Sequence, residues 1–316
     1  MYHGLEIKIM NIVEYIRKEA ISNLFNMGTF NNSWPVWQPV ISTHIGLPLN
    51  PTNILKLGDN LASVFQTTSI AGRTQNSLSG GGAAWEGLVC WYLNLCLIGT
   101  RSVVIKQDRR LIPQPLRDAF TVNYGNVPSN TESDLVGITF PDFPEYTSPY
   151  DSLTIPGINL FTRQGKFNYL NVANFLTNRD FNEIEAYIIQ CKTNWNDNAQ
   201  IPMLWDMIYA SRGFSNTTIT VGANNYQINA LKRFAYAFIT VPSNRRANYT
   251  HTSMAVKRVV NLSGGNYWGK PTQPSIAASL QDFFARNCAN STSIGLRSSL
   301  QNNISLINTD YSYFRL

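Results

Sequence analysis

Hydrophobic and polar positions recur along this chain with two periods, one helical and one of two residues, and these divide it into helices and strands. Near the start, Ile9, Ile12, Val13, Ile16 and Leu24 fall near helical spacing, which predicts an amphipathic helix over residues 5–25. Arg17 and Lys18 are interleaved there with Glu14 and Glu19, a mixture that reads as a solvated face. The stretch 31–50, rich in Trp, Pro and Asn, predicts an irregular arm; residues 53–65 predict a second helix and residues 72–82 a polar, glycine-rich loop. Residues 83–97 are apolar enough for a buried helix and carry one carboxylate, Glu86, near its start.

Strands dominate the middle. Ser102–Lys106, Asp134–Phe140 and Ile184–Thr193 read as buried strands. Residues 141–179, with many Pro, Gly, Asn and Tyr, read as an insertion, and residues 201–212 as a helix. Alternation over 217–228 predicts a hairpin that turns at Gly222-Ala223-Asn224-Asn225. Residues 231–241 read as a helix end or a strand, and a final helix is expected near 276–287. The fold class that follows is α/β, a mixed central sheet flanked by helices, with a helical N-terminal arm (1–70), a core (71–242, with its insertion near 141–180) and a C-terminal lobe (243–316).

Composition narrows the classes. The 316 residues are 44% hydrophobic and only 14% charged, and polarity comes largely from Asn, Ser, Thr and Gln. Such side chains can read base edges, but an AT-rich genome is the favoured account of the Asn richness. A net charge of +6 and an isoelectric point near 9.1 favour a polyanionic partner. Cys90, Cys96, Cys191 and Cys288 lie far apart with no zinc-like or disulfide-like spacing, which suits a reducing compartment. The first residues lack a secretory pattern, and the longest apolar run, 88–98, is about half a bilayer span, so a cytoplasmic protein is expected. His3, His44 and His251 form no His-based nuclease constellation, and no Lys-Ser/Thr follows Ser79-Gly80-Gly81-Gly82 as a nucleotide phosphate loop requires. No Gly-x-Ser-x-Gly elbow marks a serine hydrolase.

The chemistry concentrates on three elements. Asp134 opens an apolar strand; Gln190 and Lys192 stand two apart on another and so face the same way, while Cys191 faces the other. Phosphodiester hydrolysis needs a hard cation at the phosphate, an activated water and help for the leaving oxygen. Asp134 offers a carboxylate for magnesium, Gln190 a neutral carbonyl oxygen, Lys192 an ammonium for water and phosphate, and Glu86 a second negative charge. For Glu86 the competing reading is a first-turn residue facing the helix dipole; for Lys192 it is a strand-end lysine with its amine in solvent.

This arrangement resembles the PD-(D/E)XK nuclease superfamily, in the variant where Gln-x-Lys replaces the acidic residue before the lysine. The matching pieces are Ser133-Asp134-Leu135-Val136-Gly137-Ile138 and Ile188-Ile189-Gln190-Cys191-Lys192-Thr193, and the resemblance covers roughly residues 80–210. Gly81-Gly82-Ala83-Ala84-Trp85-Glu86 is similar to the helix before the first core strand of such enzymes, where a Glu often faces the metal. The resemblance implies a Type II restriction endonuclease with a restriction-endonuclease-like core, magnesium as cofactor and double-stranded DNA as substrate, acting as a homodimer if its site is palindromic. It makes 71–242 the catalytic core and 243–316 the DNA-recognition or dimerisation region. The spacing of about 55 residues between Asp134 and Gln190 exceeds the usual one and leaves Asp180 as a rival metal carboxylate.

Candidate DNA contacts lie downstream of each strand end: Asn194 and Asn196, then Arg245, Arg246, Lys257, Arg258, Asn266 and Tyr267. Base readout, phosphate contact and no contact are all open for the basic segment. The competing functions are a DNA-binding protein whose nuclease site has decayed, with Gln190 as its mark, and a structure-specific nuclease of the same fold.

Overall fold

The computed structural model describes residues 10–70, 78–106, 108, 110–129, 133–193, 205, 219–241, 249–267, 276 and 279–316. Helix α1 (Ile12–Asn26) begins where the Asn11 side chain accepts the Glu14 N–H. It is followed by α2 (Gly28–Ile45), α3 (Pro51–Leu57), α4 (Leu61–Ile70) and α5 (Leu78–Cys96). Strand β1 (Ser102–Lys106), helix α6 (Gln114–Ala119), and strands β2 (Val122–Tyr124), β3 (Val127–Ser129) and β4 (Leu135–Thr139) come next. Then follow α7 (Pro144–Thr147), α8 (Tyr169–Arg179), β5 (Glu185–Lys192), β6 (Ile219–Val221) and β7 (Arg233–Thr240). The described chain closes with α9 (Met254–Val259), β8 (Asn266–Tyr267), α10 (Leu280–Cys288) and α11 (Leu296–Asn303).

The protein is a mixed α/β structure, as its hydrophobic pattern predicts. The central sheet has the order β1-β4-β5-β7-β8; β4 runs antiparallel to both its neighbours, β1 and β5, and β5, β7 and β8 run parallel. Alternate residues feed two cores. Val104, Leu135, Tyr187, Ile189 and Cys191 face α2 to α5 and the C-terminal helices. Val103, Ile105, Val136, Ile138, Ala186 and Ile188 face α6, α8 and α9. Gly137 has no side chain because its register partner Tyr187 fills the space: a Cβ there would meet the ring at about 2 Å. No helix among the described residues is long and apolar enough to cross a membrane.

Several expectations are corrected. Residues 28–45 form a helix rather than an irregular arm, although Pro35 and Pro39 lie inside it. Each proline removes one helical hydrogen bond, but both sit on the exposed side. Phe30, Trp34, Trp37, Ile41 and Ile45 line the opposite face and are buried, each contributing about 1.5–3 kcal/mol. That burial outweighs the propensity cost. The glycines Gly80 to Gly82 belong to α5, so the expected loop does not reach residue 82. The Asn224-Asn225 turn forms, with both φ values positive, but β6 pairs with β2 in a small sheet β3-β2-β6 instead of folding back as a full hairpin. The helix expected at 201–212 lies outside the described residues except for Trp205, which is helical and buried.

Arg17 is not solvated. It is fully buried, with Nε on Glu14 at 2.8 Å, one Nη group on Asn94 and the other on the carbonyls of Thr100 and Ser102 at 3.2 and 2.8 Å. The helical period alone does not separate a solvated charged face from one turned into the protein. Glu14 also accepts the Gly99 N–H at 2.8 Å. Removing one partner of such a buried pair strands the other, so Arg17→Met should cost about 3–5 kcal/mol. Urea unfolding monitored by circular dichroism measures this; a loss below about 1 kcal/mol would mean that the guanidinium is dispensable.

Candidate active site

Three strands and one helix converge at one end of the central sheet. Leu135 pairs with Ile189 and Lys106 with Leu135, so Asp134 emerges beside the C-terminal ends of β1 and β5. Its Oδ2 accepts the main-chain N–H of Cys191 at 2.7 Å, the amide of Gln190 at 3.0 Å and the ammonium of Lys192 at 3.3 Å. Oδ1 accepts no hydrogen bond among the described residues. The structure therefore unites Asp134, Gln190 and Lys192.

Asp180, the rival carboxylate, stands at the end of α8 and precedes β5, whereas Lys192 ends it. An eight-residue strand is roughly 23 Å long. Asp180 instead accepts the Tyr146 phenol at 3.0 Å and pairs with Arg179.

Glu86 reaches the same sheet end from α5. Its Oε2 lies 2.7 Å from the ammonium of Lys106, the last residue of β1, which also donates to the Ala83 carbonyl at 3.0 Å. Lys106 is a site residue that sequence reasoning missed, because strand register, which no local pattern encodes, brings it beside Asp134. Burial raises the Glu86 pKa above the ordinary carboxylate range; Lys106 opposes the shift and the Asp134 charge adds to it. Burial likewise raises Asp134, against the pull of Lys192 and the Cys191 N–H. Two carboxylates and two ammonium groups thus form one electrostatic unit in which each charge is partly withdrawn from water.

Gln190 is almost wholly buried. Its carbonyl oxygen accepts the Tyr236 phenol at 2.5 Å while its amide donates to Asp134, so only one orientation of the amide satisfies both neighbours. Tyr236 was not legible either: it lies on β7, where Ile188 is its register partner, and reaches Gln190 diagonally along the shared face. Gln190, expected as a cation ligand, here bridges Tyr236 and Asp134. The Cys191 thiol turns into the apolar core on the other face, and burial drives its pKa well upward, which disfavours the reactive thiolate.

Among the expected DNA contacts, Lys257 and Arg258 are exposed on α9. Asn266 and Tyr267 are buried, which corrects their assignment: Asn266 donates to the Ile276 carbonyl at 2.7 Å and Tyr267 donates to the Gly58 carbonyl. Inward-facing β8 side chains cannot reach a base edge. Asn194, Asn196, Arg245 and Arg246 lie outside the described residues. Val241 N–H bonds to the Lys192 carbonyl at 3.2 Å, so β7 ends at the same sheet end as the site. Among the described residues no group of three or more His, Cys, Asp or Glu could hold a metal. A groove of about 800 Å³ between α3 and the C-terminal helices is lined by none of the four charged site residues.

The raised carboxylates fix the sign of a pH effect. With Glu86 and Asp134 raised, the folded protein binds more protons than the unfolded chain between the ordinary carboxylate value and the raised one. Their contribution therefore falls as pH rises through that window and is level above it. The double variant E86Q/D134N should gain stability relative to the wild type as pH climbs through the window, as read from urea midpoints at a series of pH values. A flat or falling difference contradicts the assignment.

Compared with protein-family models and with curated protein sequences, the chain matches none.

Proposed function

We propose that this protein is a magnesium-dependent endonuclease that hydrolyses phosphodiester bonds in double-stranded DNA, a restriction enzyme acting as a homodimer on a palindromic site. The observation that carries the reading is the convergence of Asp134 and Lys192 on adjacent strand ends, with Glu86 on the helix that precedes β1. The PD-(D/E)XK resemblance implies this order of elements: a helix bearing a carboxylate, a strand opened by Asp, and a strand carrying the lysine. The net charge of +6 supports a polyanionic substrate.

The donor set fits a hard cation. Asp134 keeps Oδ1 free of hydrogen bonds among the described residues, and Glu86 adds a second carboxylate with partial access to solvent. Two carboxylates are few for such an ion, so a phosphate oxygen of the substrate and water complete its ligands. When bound, magnesium supplies Lewis-acid stabilisation of the phosphate and a more acidic water. The protein's own groups do the rest. Lys192, with its ammonium beside Asp134, offers positive charge to the scissile phosphate and a contact for the attacking water. Gln190 holds the Asp134 carboxylate in place from the buried side. Lys257 and Arg258 on α9 supply exposed positive charge for the backbone. Asn194 and Asn196, which come later in sequence than β5, and Arg245 and Arg246, which come later than β7, are the candidates for further contacts.

Incubation of the protein with plasmid and magnesium tests the reading. Discrete bands support restriction and a smear supports structure-guided processing; intact plasmid with a shifted mobility means binding without cleavage. Lys192→Ala should lower the cleavage rate by about 100-fold or more, the scale of a lost proton-transfer or charge-stabilising group, while leaving DNA affinity within a few-fold. Asp134→Asn should abolish cleavage where Asp180→Asn does not; the reverse ranking refutes the site.

A further inference from the structure

Lys106 and Lys192 approach the candidate site from opposite faces of the sheet, and the difference gives them different tasks. Lys192 shares its face with Gln190, whereas the Lys106 side chain follows Val104 onto the face covered by α5. There it is engaged twice, by the Glu86 carboxylate at 2.7 Å and by the Ala83 carbonyl at 3.0 Å. The Lys106 and Glu86 side chains are only 12% and 21% exposed, so water screens their attraction weakly.

Building on the cation reading above, we infer that Lys106 is an internal counter-ion that competes with a divalent cation for Glu86 and keeps the protein's affinity for that cation low until DNA is bound. The charges of Glu86, Asp134, Lys106 and Lys192 sum to zero. A divalent ion entering that balanced set meets two ammonium groups, and like charges repel at this range. A phosphodiester brings negative charge, which offsets the repulsion and offers the ammonium of Lys106 an acceptor in place of Glu86. Cation binding and DNA binding are then coupled, each raising the affinity of the other by the same factor. A nuclease built this way does not load its metal away from its substrate.

Binding of manganese(II) to the full chain without DNA, followed by the electron paramagnetic resonance of the free ion, tests the inference. Lys106→Met and Lys106→Gln should each bind manganese about tenfold or more tightly than the wild type, the scale of one neighbouring charge. Lys106→Met/Glu86→Gln should lose that gain. Two lysine variants, with thermal melts of each, guard against one that misfolds. If neither binds more tightly while Asp134→Asn still weakens binding, the competition is refuted and the cation site stands. If manganese affinity is undetectable in every variant, or indifferent to both Asp134→Asn and Glu86→Gln, the cation site and the competition fall together.

Discussion

A single buried guanidinium holds the architecture in register. Arg17 spends its donors on Glu14, Asn94 and the carbonyls of Thr100 and Ser102, so α1, the end of α5 and the start of β1 meet at one point. Asn94 extends the lock: it accepts the Val104 N–H at 3.1 Å and donates to the Val104 carbonyl at 2.7 Å, which satisfies the open edge of β1. Helix α5 therefore cannot slide along that strand without breaking several buried hydrogen bonds. Glu86 lies eight residues before Asn94, roughly 12 Å along the helix, and Lys106 lies two residues beyond Val104. The contact between Glu86 and Lys106 is a downstream result of the same lock.

The site obeys a second constraint, the need to keep carboxylates ionised where water is scarce. Asp134 is stabilised by a main-chain N–H, an amide and an ammonium, and Glu86 by the ammonium of Lys106 with a weaker pull from Lys192, yet burial still raises both. Gln190 contributes without adding charge. An acidic residue in its position would add a third negative charge and set a carboxylate oxygen against Asp134 Oδ2, where the amide of Gln190 donates instead.

How much of this was legible in the sequence follows from the range of each interaction. Strands β1, β4 and β5 announce themselves by apolar runs, whereas the run of β7 suits a helix end as well as a strand; alternation along β5 sets Gln190 and Lys192 on one face and Cys191 on the other. Asp134 was legible because an apolar strand follows it at once. Lys106 and Tyr236 were not, since their roles depend on which strands pair and in what register. Arg17 misled for a related reason: the partners that bury it lie about 80 residues away. The prolines of α2 misled because local propensity was opposed by a row of aromatic residues whose burial only the tertiary structure supplies. Asn266 and Tyr267 have the residue types of a recognition loop and the location of a buried strand.

The shortest contact to Asp134 comes from the peptide N–H of Cys191, not from a side chain. Nineteen of the twenty standard amino acids carry that donor, and proline alone lacks it. Position 191 can therefore vary in sequence as far as the apolar core on its other face allows, and the anchor of the carboxylate travels with the backbone. The middle letter of Gln-x-Lys is free to this chemistry because the chain itself, whatever its side chain there, performs the work.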